Sequence, residues 1–120
     1  MSKIVNRTLD FFEAFANARR PLALSELTKL LGIPISSCYD VLQALEERGY
    51  VYEVRPRGGF YPTARLFDIA KTFVENGPLA ARVQPVLERL RDQVQESVFL
   101  LKARHDALTY VSVIEAETPL

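Results

Sequence analysis

Apolar residues recur along this chain in blocks of helical spacing, separated by short stretches that alternate like strands. The most ordered block runs from Leu24 to Tyr50 and reads as two short helices about a glycine turn. Leu27, Leu30 and Leu31 recur at helical spacing, Ser25 is placed to cap the helix start, and Gly32 closes it with a residue free to take positive φ. Pro34 stands where a helix start tolerates a missing N–H. The second helix gathers Cys38, Val41, Leu42 and Leu45 on one face and leaves Ser36, Ser37, Tyr39, Asp40 and Gln43 on the other, with Gly49 ending it. Two helices joined by a turn of about 3–4 residues, the second with a polar outward face, form a helix-turn-helix, whose second helix enters the DNA major groove.

That layout also occurs in all-α domains that never touch nucleic acid. The next stretch separates the two cases. Tyr50 to Val54 is β-branched and aromatic, Arg55-Pro56-Arg57-Gly58-Gly59 is turn chemistry, and Phe60-Tyr61-Pro62 returns as a strand. A hairpin with arginines at its tip, directly after the recognition helix, is a wing. The fold expected for residues 1–63 is therefore a winged helix-turn-helix, mainly α with a small β-hairpin.

The flanking segments follow the same periodicities. Ile4 to Asn17 is predicted to be a helix with Val5, Leu9, Phe12 and Ala16 on one stripe, while Ile4, Phe11 and Phe15 widen the apolar surface. Either this is a thick core stripe, or Phe11 and Phe15 face another subunit; the cost of leaving two phenylalanines in water favours the partner surface. Leu22-Ala23-Leu24 is a short extended piece placed to pair with the wing. Ala64 to Asn76 forms a further helix, with Leu66, Ile69, Ala70 and Phe73 on one stripe, Phe67 and Val74 beside it, and Gly77-Pro78 as its stop. A last helix spans about 79–96, where Pro85 either kinks it or marks the start of its regular part. Val98 to Ala103 and Leu108 to Ile114 are strands about an Arg104–Ala107 turn. One helix and one hairpin bury little by themselves. Residues 79–120 therefore read as the opening of a second domain whose remainder is absent, with Thr118-Pro119-Leu120 supplying no capping element; the alternative is an extension folded back on the winged helix.

Composition narrows the class. The chain has 120 residues, 48% of them hydrophobic and 25% charged, which suits a folded soluble protein. No apolar run approaches the roughly 20 residues that span a bilayer, and the N-terminus has no signal-peptide core, so no membrane partner is expected. A single cysteine excludes an intrachain disulfide framework and points to a reducing, cytoplasmic setting. Net charge is zero, yet residues 1–72 hold ten Lys/Arg against eight Asp/Glu and residues 73–120 hold five against seven. The sign is that of a basic DNA-reading half with an acidic companion.

The ordered set of residues resembles the N-terminal half of IclR-type transcriptional regulators. The resemblance runs through Arg7–Phe15, Pro21–Leu27, Leu31–Ser37, Leu42–Leu45, Gly49–Val51 and Arg65–Ala70. It implies a winged helix-turn-helix over 1–63, a linker helix over 64–78, and the helix-plus-hairpin start of a truncated α/β effector-binding domain over 79–120. It further implies a bacterial, cytoplasmic homodimer or tetramer on a palindromic double-stranded DNA operator, responding to a small organic effector held in the missing C-terminal half. The first and linker helices would supply the dimer contact, where Phe11, Phe15, Phe67 and Val74 offer surplus apolar surface. One departure stands out. Where such regulators commonly carry an arginine three residues after the recognition-helix Ser/Thr, this chain has Asp40, and its recognition helix holds no Lys or Arg before Arg48.

The DNA-contacting set expected is therefore Ser36, Ser37, Tyr39, Asp40 and Gln43 toward bases or phosphates, Arg55 and Arg57 from the wing, and Lys29, Arg19, Arg20 and Arg65 as phosphate anchors. A protein-binding winged helix, favoured by zero net charge and Asp40, is the competing reading. Cys38 reads as a small core residue, and His105-Asp106 as turn residues with no positioned nucleophile. Without a phosphate-cradling glycine loop, a metal-spaced cluster or a carboxylate pair, no enzyme activity, cofactor or metal is expected.

Overall fold

In the computed structural model, which describes residues 2–78 and 80–116, the order of elements is α1 (Lys3–Ala18), α2 (Leu24–Leu31), α3 (Ile35–Glu47), β1 (Val51–Glu53), β2 (Phe60–Pro62), α4 (Arg65–Glu75), α5 (Ala80–Val94), β3 (Val98–Arg104) and β4 (Ala107–Ile114). Two units of dense internal contact, Met1–Ile69 and Ala70–Leu120, divide the chain. The division falls inside α4, within the segment 64–78 for which the resemblance implies a linker helix.

The first unit is built on Phe11, Phe15, Leu22, Leu27, Cys38, Leu42, Leu45 and Val51, with Ile33, Tyr50 and Phe60 packed at its margin. The helix-turn-helix forms as the periodicity predicts. Gly32 takes φ +63 at the end of α2, Pro34 occupies the cap position of α3, and Gly49 takes φ +81 beyond its last turn. One local expectation differs. Ser25 lies inside α2, and the cap position is Ala23, whose N–H donates to Glu26 Oε1 at 3.2 Å. A glutamate three residues into a helix reaches back to the cap amide, so the first turn is satisfied without a hydroxyl. Of the leucines at helical spacing, Leu27 is buried while Leu30 is 60% exposed.

The larger correction concerns α1. Phe11 and Phe15 are 0% and 2% exposed and fill the core, so neither is available to a second subunit. The stripe expected to face inward includes Val5 and Leu9, which are exposed along with Ile4. Two apolar lines run down this helix, and the one with two phenyl rings wins because it removes more apolar area from water and fills more volume. Aromatic contacts fix its seat: Phe15 meets Tyr61 of β2 edge-on at 6.3 Å between ring centres, and Phe12 meets Tyr50 at 6.4 Å.

The wing pairs antiparallel, Val51 with Pro62, Tyr52 with Tyr61 and Glu53 with Phe60. Leu22 joins it as expected, exchanging two backbone hydrogen bonds with Phe60 at 3.0 and 2.8 Å. Thr63 ties the exit of the wing to α3 and α4. Its hydroxyl donates to the Gly49 carbonyl at 2.6 Å and accepts from the Arg65 N–H at 3.2 Å.

In the second unit, α5 packs on the β3–β4 hairpin, with Leu87 and Ile114 its buried apolar residues among those described. Pro85 lies within α5. The strands run further toward the turn than the sequence suggests, leaving only His105 and Asp106 between them, with His105 at φ +54. Phe73, Val74, Val83, Leu87, Phe99 and Val111 are among the residues that line an apolar hollow of about 590 Å³. The helix start expected at Leu79 and the terminal Thr118-Pro119-Leu120 lie outside the described residues.

Candidate DNA-binding surface

α3 is anchored by Cys38, Leu42 and Leu45, which are buried, and the residues half a turn away are thereby forced outward. Ser36, Tyr39, Asp40 and Gln43 are exposed, and Ser37 is half-buried. No side chain caps the start of the helix at Pro34, so its first-turn amides and the hydroxyls of Ser36 and Ser37 remain open to an anion. Burial pushes the Cys38 thiol pKa up, with the neighbouring Thr28 hydroxyl acting the other way, as suits a core residue.

Beside α3 stands the wing. Its tip closes through a hydrogen bond from the Gly58 N–H to the Arg55 carbonyl at 2.8 Å, with Pro56 second in the turn and Arg57 third at φ +62. That is the backbone pattern of a type II turn, which favours Pro and then a positive φ at those positions. The Arg55 side chain lies over Gly58, whereas Arg57 reaches the cleft between wing and helix. The cleft, of about 320 Å³, has Leu24, Leu42 and Phe60 among its apolar lining and Tyr39, Gln43, Glu46, Glu53 and Arg57 among its polar lining.

So the structure brings Tyr39, Gln43 and Arg57 to one cleft and sets Ser36 and Asp40 on the adjoining crest of α3. It does not bring all the expected phosphate anchors there. Arg20 is held by Glu26, Nη2 to Oε2 at 2.7 Å, and borders a different hollow that also contains Asp10 and Glu13. Arg65 stacks over the Tyr50 ring, 5.5 Å from its centre. Arg19 caps the end of α1 in the left-handed region, and Lys29 is exposed on the last turn of α2. Sequence reading missed Glu46 and Glu53. Glu46 follows Tyr39 and Gln43 at spacings of seven and three, and Glu53 shares the Val51 side of β1, so helical and strand periods carried the signal.

Among known proteins, residues 5–55 match the IclR helix-turn-helix domain. The chain is 28% identical to the transcriptional repressor IclR of Escherichia coli over 107 residues, 87% of this chain and 39% of that protein. It is 29% identical to the acetate operon repressor of Salmonella typhimurium over 96 residues, 80% of this chain and 35% of that one. Its fold matches the crystal structure of an IclR family transcriptional regulator from Brucella abortus with a TM-score of 0.75 at 16% identity, covering 98% of this chain and 44% of that one. The chain thus spans less than half the length of these relatives, which are transcriptional regulators and not enzymes. Among the described residues, no helix is long and apolar enough to cross a membrane, and no group of three or more His, Cys, Asp or Glu is placed to hold a metal ion.

Proposed function

We propose that this chain is the DNA-binding part of a cytoplasmic transcriptional regulator and that α3 is its recognition helix. The observation that carries the proposal is the pairing of a polar, outward α3 face with an arginine-tipped hairpin, both fixed by one core. Docked in a major groove, Ser36, Ser37, Tyr39, Asp40 and Gln43 reach base edges and flanking phosphates, and Arg55 and Arg57 reach the adjoining backbone or minor groove. Residues 1–63 act as the DNA-binding head, 64–78 as a linker helix, and 79–120 as the opening of a domain that binds a small organic effector. A homodimer sets two α3 helices about 34–36 Å apart on a palindromic operator. Phe67 and Val74, 66% and 74% exposed, supply apolar surface for that dimer or for a tetramer. Effector binding then changes the spacing or rigidity of the two heads, coupling the sites.

Salt dependence tests the reading. With Arg20 and Arg65 engaged within the protein, Arg19, Lys29, Arg55 and Arg57 are the expected anchors without an ion pair or ring contact among the described residues. Four phosphate contacts per head correspond to a slope of log affinity on log salt of about −3.6. The double variant Ser37→Ala/Arg57→Ala should keep its circular dichroism and lose duplex affinity. Unchanged affinity would count against this face.

A second reading, a winged helix that binds a protein, is favoured by the two carboxylates, Glu46 and Glu53, that line the cleft with a single arginine. Duplex binding that is absent at low salt, with a protein ligand bound at the same face, would decide for it.

A further inference from the structure

The crest of α3 has a sharper chemistry than a general grip on a duplex. At about 100° per residue, Ser36, Asp40, Gln43 and Glu47 fall within one arc opposite Cys38, Leu42 and Leu45, and all four are exposed. No lysine or arginine stands on that arc. Asp40 makes no hydrogen bond or ion pair among the described residues, so its carboxylate is offered outward with its accepting capacity unused. A negative group at the centre of a surface that approaches phosphates is repulsive unless something donates to it.

Resting on the DNA-binding reading above, we propose that Asp40 is a specificity-determining residue that selects cytosine in the major groove through its N4 amino group. A carboxylate offers acceptors only. Guanine presents O6 and N7 in that groove and thymine presents O4, so both set acceptors against it; only cytosine and adenine bring an amino donor. Adenine places the N7 acceptor beside its amino group, opposite the second carboxylate oxygen, whereas cytosine places no acceptor there. Cytosine is thus the partner free of a like-sign contact. Gln43 follows three residues later, a rise of about 4.5 Å along the helix against about 3.4 Å per base step. Its amide carries both a donor and an acceptor and matches adenine N6 and N7 one or two steps away. Asp40 also works by exclusion: it weakens binding to duplexes that lack the amino group at its position, which arginine there would strengthen.

The test is selection of bound duplexes from a random pool by the 120-residue chain, repeated with Asp40→Ala and Asp40→Asn, followed by titration of the selected site and its single-base variants. The chain should select a site with a fixed cytosine, and replacing that C·G pair should cost about fivefold or more in affinity. Asp40→Ala should erase the preference at that one position and raise affinity for random duplex. Asp40→Asn should move the preference toward adenine, since asparagine pairs with N6 and N7. Because Asp40 is exposed and unpaired, circular dichroism should be unchanged in both. If a sequence is selected but Asp40→Ala keeps every base preference, the assignment to Asp40 is overturned while the DNA-binding reading stands. If the chain binds no duplex at low salt, that reading falls and this one with it.

Discussion

Gly59 lies where the wing passes close to the backbone of the segment before α2, and its replacement isolates the contact that sets the wing beside α3. Its φ is +89, and a Cβ added there would lie 3.1 Å from the Leu22 carbonyl carbon, 3.2 Å from its oxygen and 3.3 Å from its nitrogen. These are backbone atoms that cannot swing aside. Gly32 is the control, with φ +63 and nothing within 4 Å of an added Cβ. Gly32→Ala should cost only the positive-φ penalty, about 1–2 kcal/mol. Gly59→Ala adds the loss or weakening of the two Leu22–Phe60 hydrogen bonds, each about 0.5–1.5 kcal/mol, for a total of about 2–5 kcal/mol. The smaller unfolded-state entropy of alanine offsets both variants alike and cancels in the comparison. Urea denaturation followed by circular dichroism gives the two losses, and amide hydrogen exchange at Leu22 and Phe60 shows where the second arises. Gly59→Ala should lower stability by about 1–3 kcal/mol more than Gly32→Ala and expose both amides. Equal losses, with Leu22 and Phe60 still protected, would refute the idea that close backbone approach positions the wing.

Phe11→Ala, which empties a fully buried site, should cost about 3–5 kcal/mol in denaturation. Phe67→Asp should leave the fold intact and shift the sedimentation of any dimer toward monomer; the reverse pattern would return Phe11 to the surface. Arg20 holds the Glu26 carboxyl below its usual range through a side-chain hydrogen bond, reinforced by the Ala23 N–H. A lowered folded-state pKa adds stability above the ordinary glutamate value that is lost as pH falls from about 4.5 through the folded value. The stability gap between the chain and Glu26→Gln should therefore narrow with acidification, and a gap constant from pH 7 to pH 3 would contradict the pairing. Cys38 should resist alkylation in the native chain and react quickly in urea, because its thiol is buried and its thiolate disfavoured. Equal rates would place it at the surface.

What the sequence discloses and what it hides divide along a physical line. The α2–turn–α3 unit was legible because Gly32, Pro34 and Gly49 act on their own backbone, and leucine spacing within one helix reports one face. The wing was legible for the same reason, down to Leu22 pairing beside it. α1 was not, since it carries two apolar lines and only the volume left between α2, α3 and β2 decides which is buried. Charge was read least well. Arg20 meets Glu26 across a loop, at a separation that belongs to neither the helical nor the strand period, and Arg65 meets Tyr50 only because Thr63 folds the start of α4 against the end of α3. Counting arginines along the chain therefore overstates the cations free to meet a duplex. Periodicity places Glu46 and Glu53 on faces of α3 and β1, but they share one cleft with Arg57 only once the wing is in place. A face with few free cations and three carboxylates near its reading groups gains less from phosphates than a basic one. Its discrimination must then come from hydrogen bonds to base edges, which depend on sequence while phosphate contacts do not.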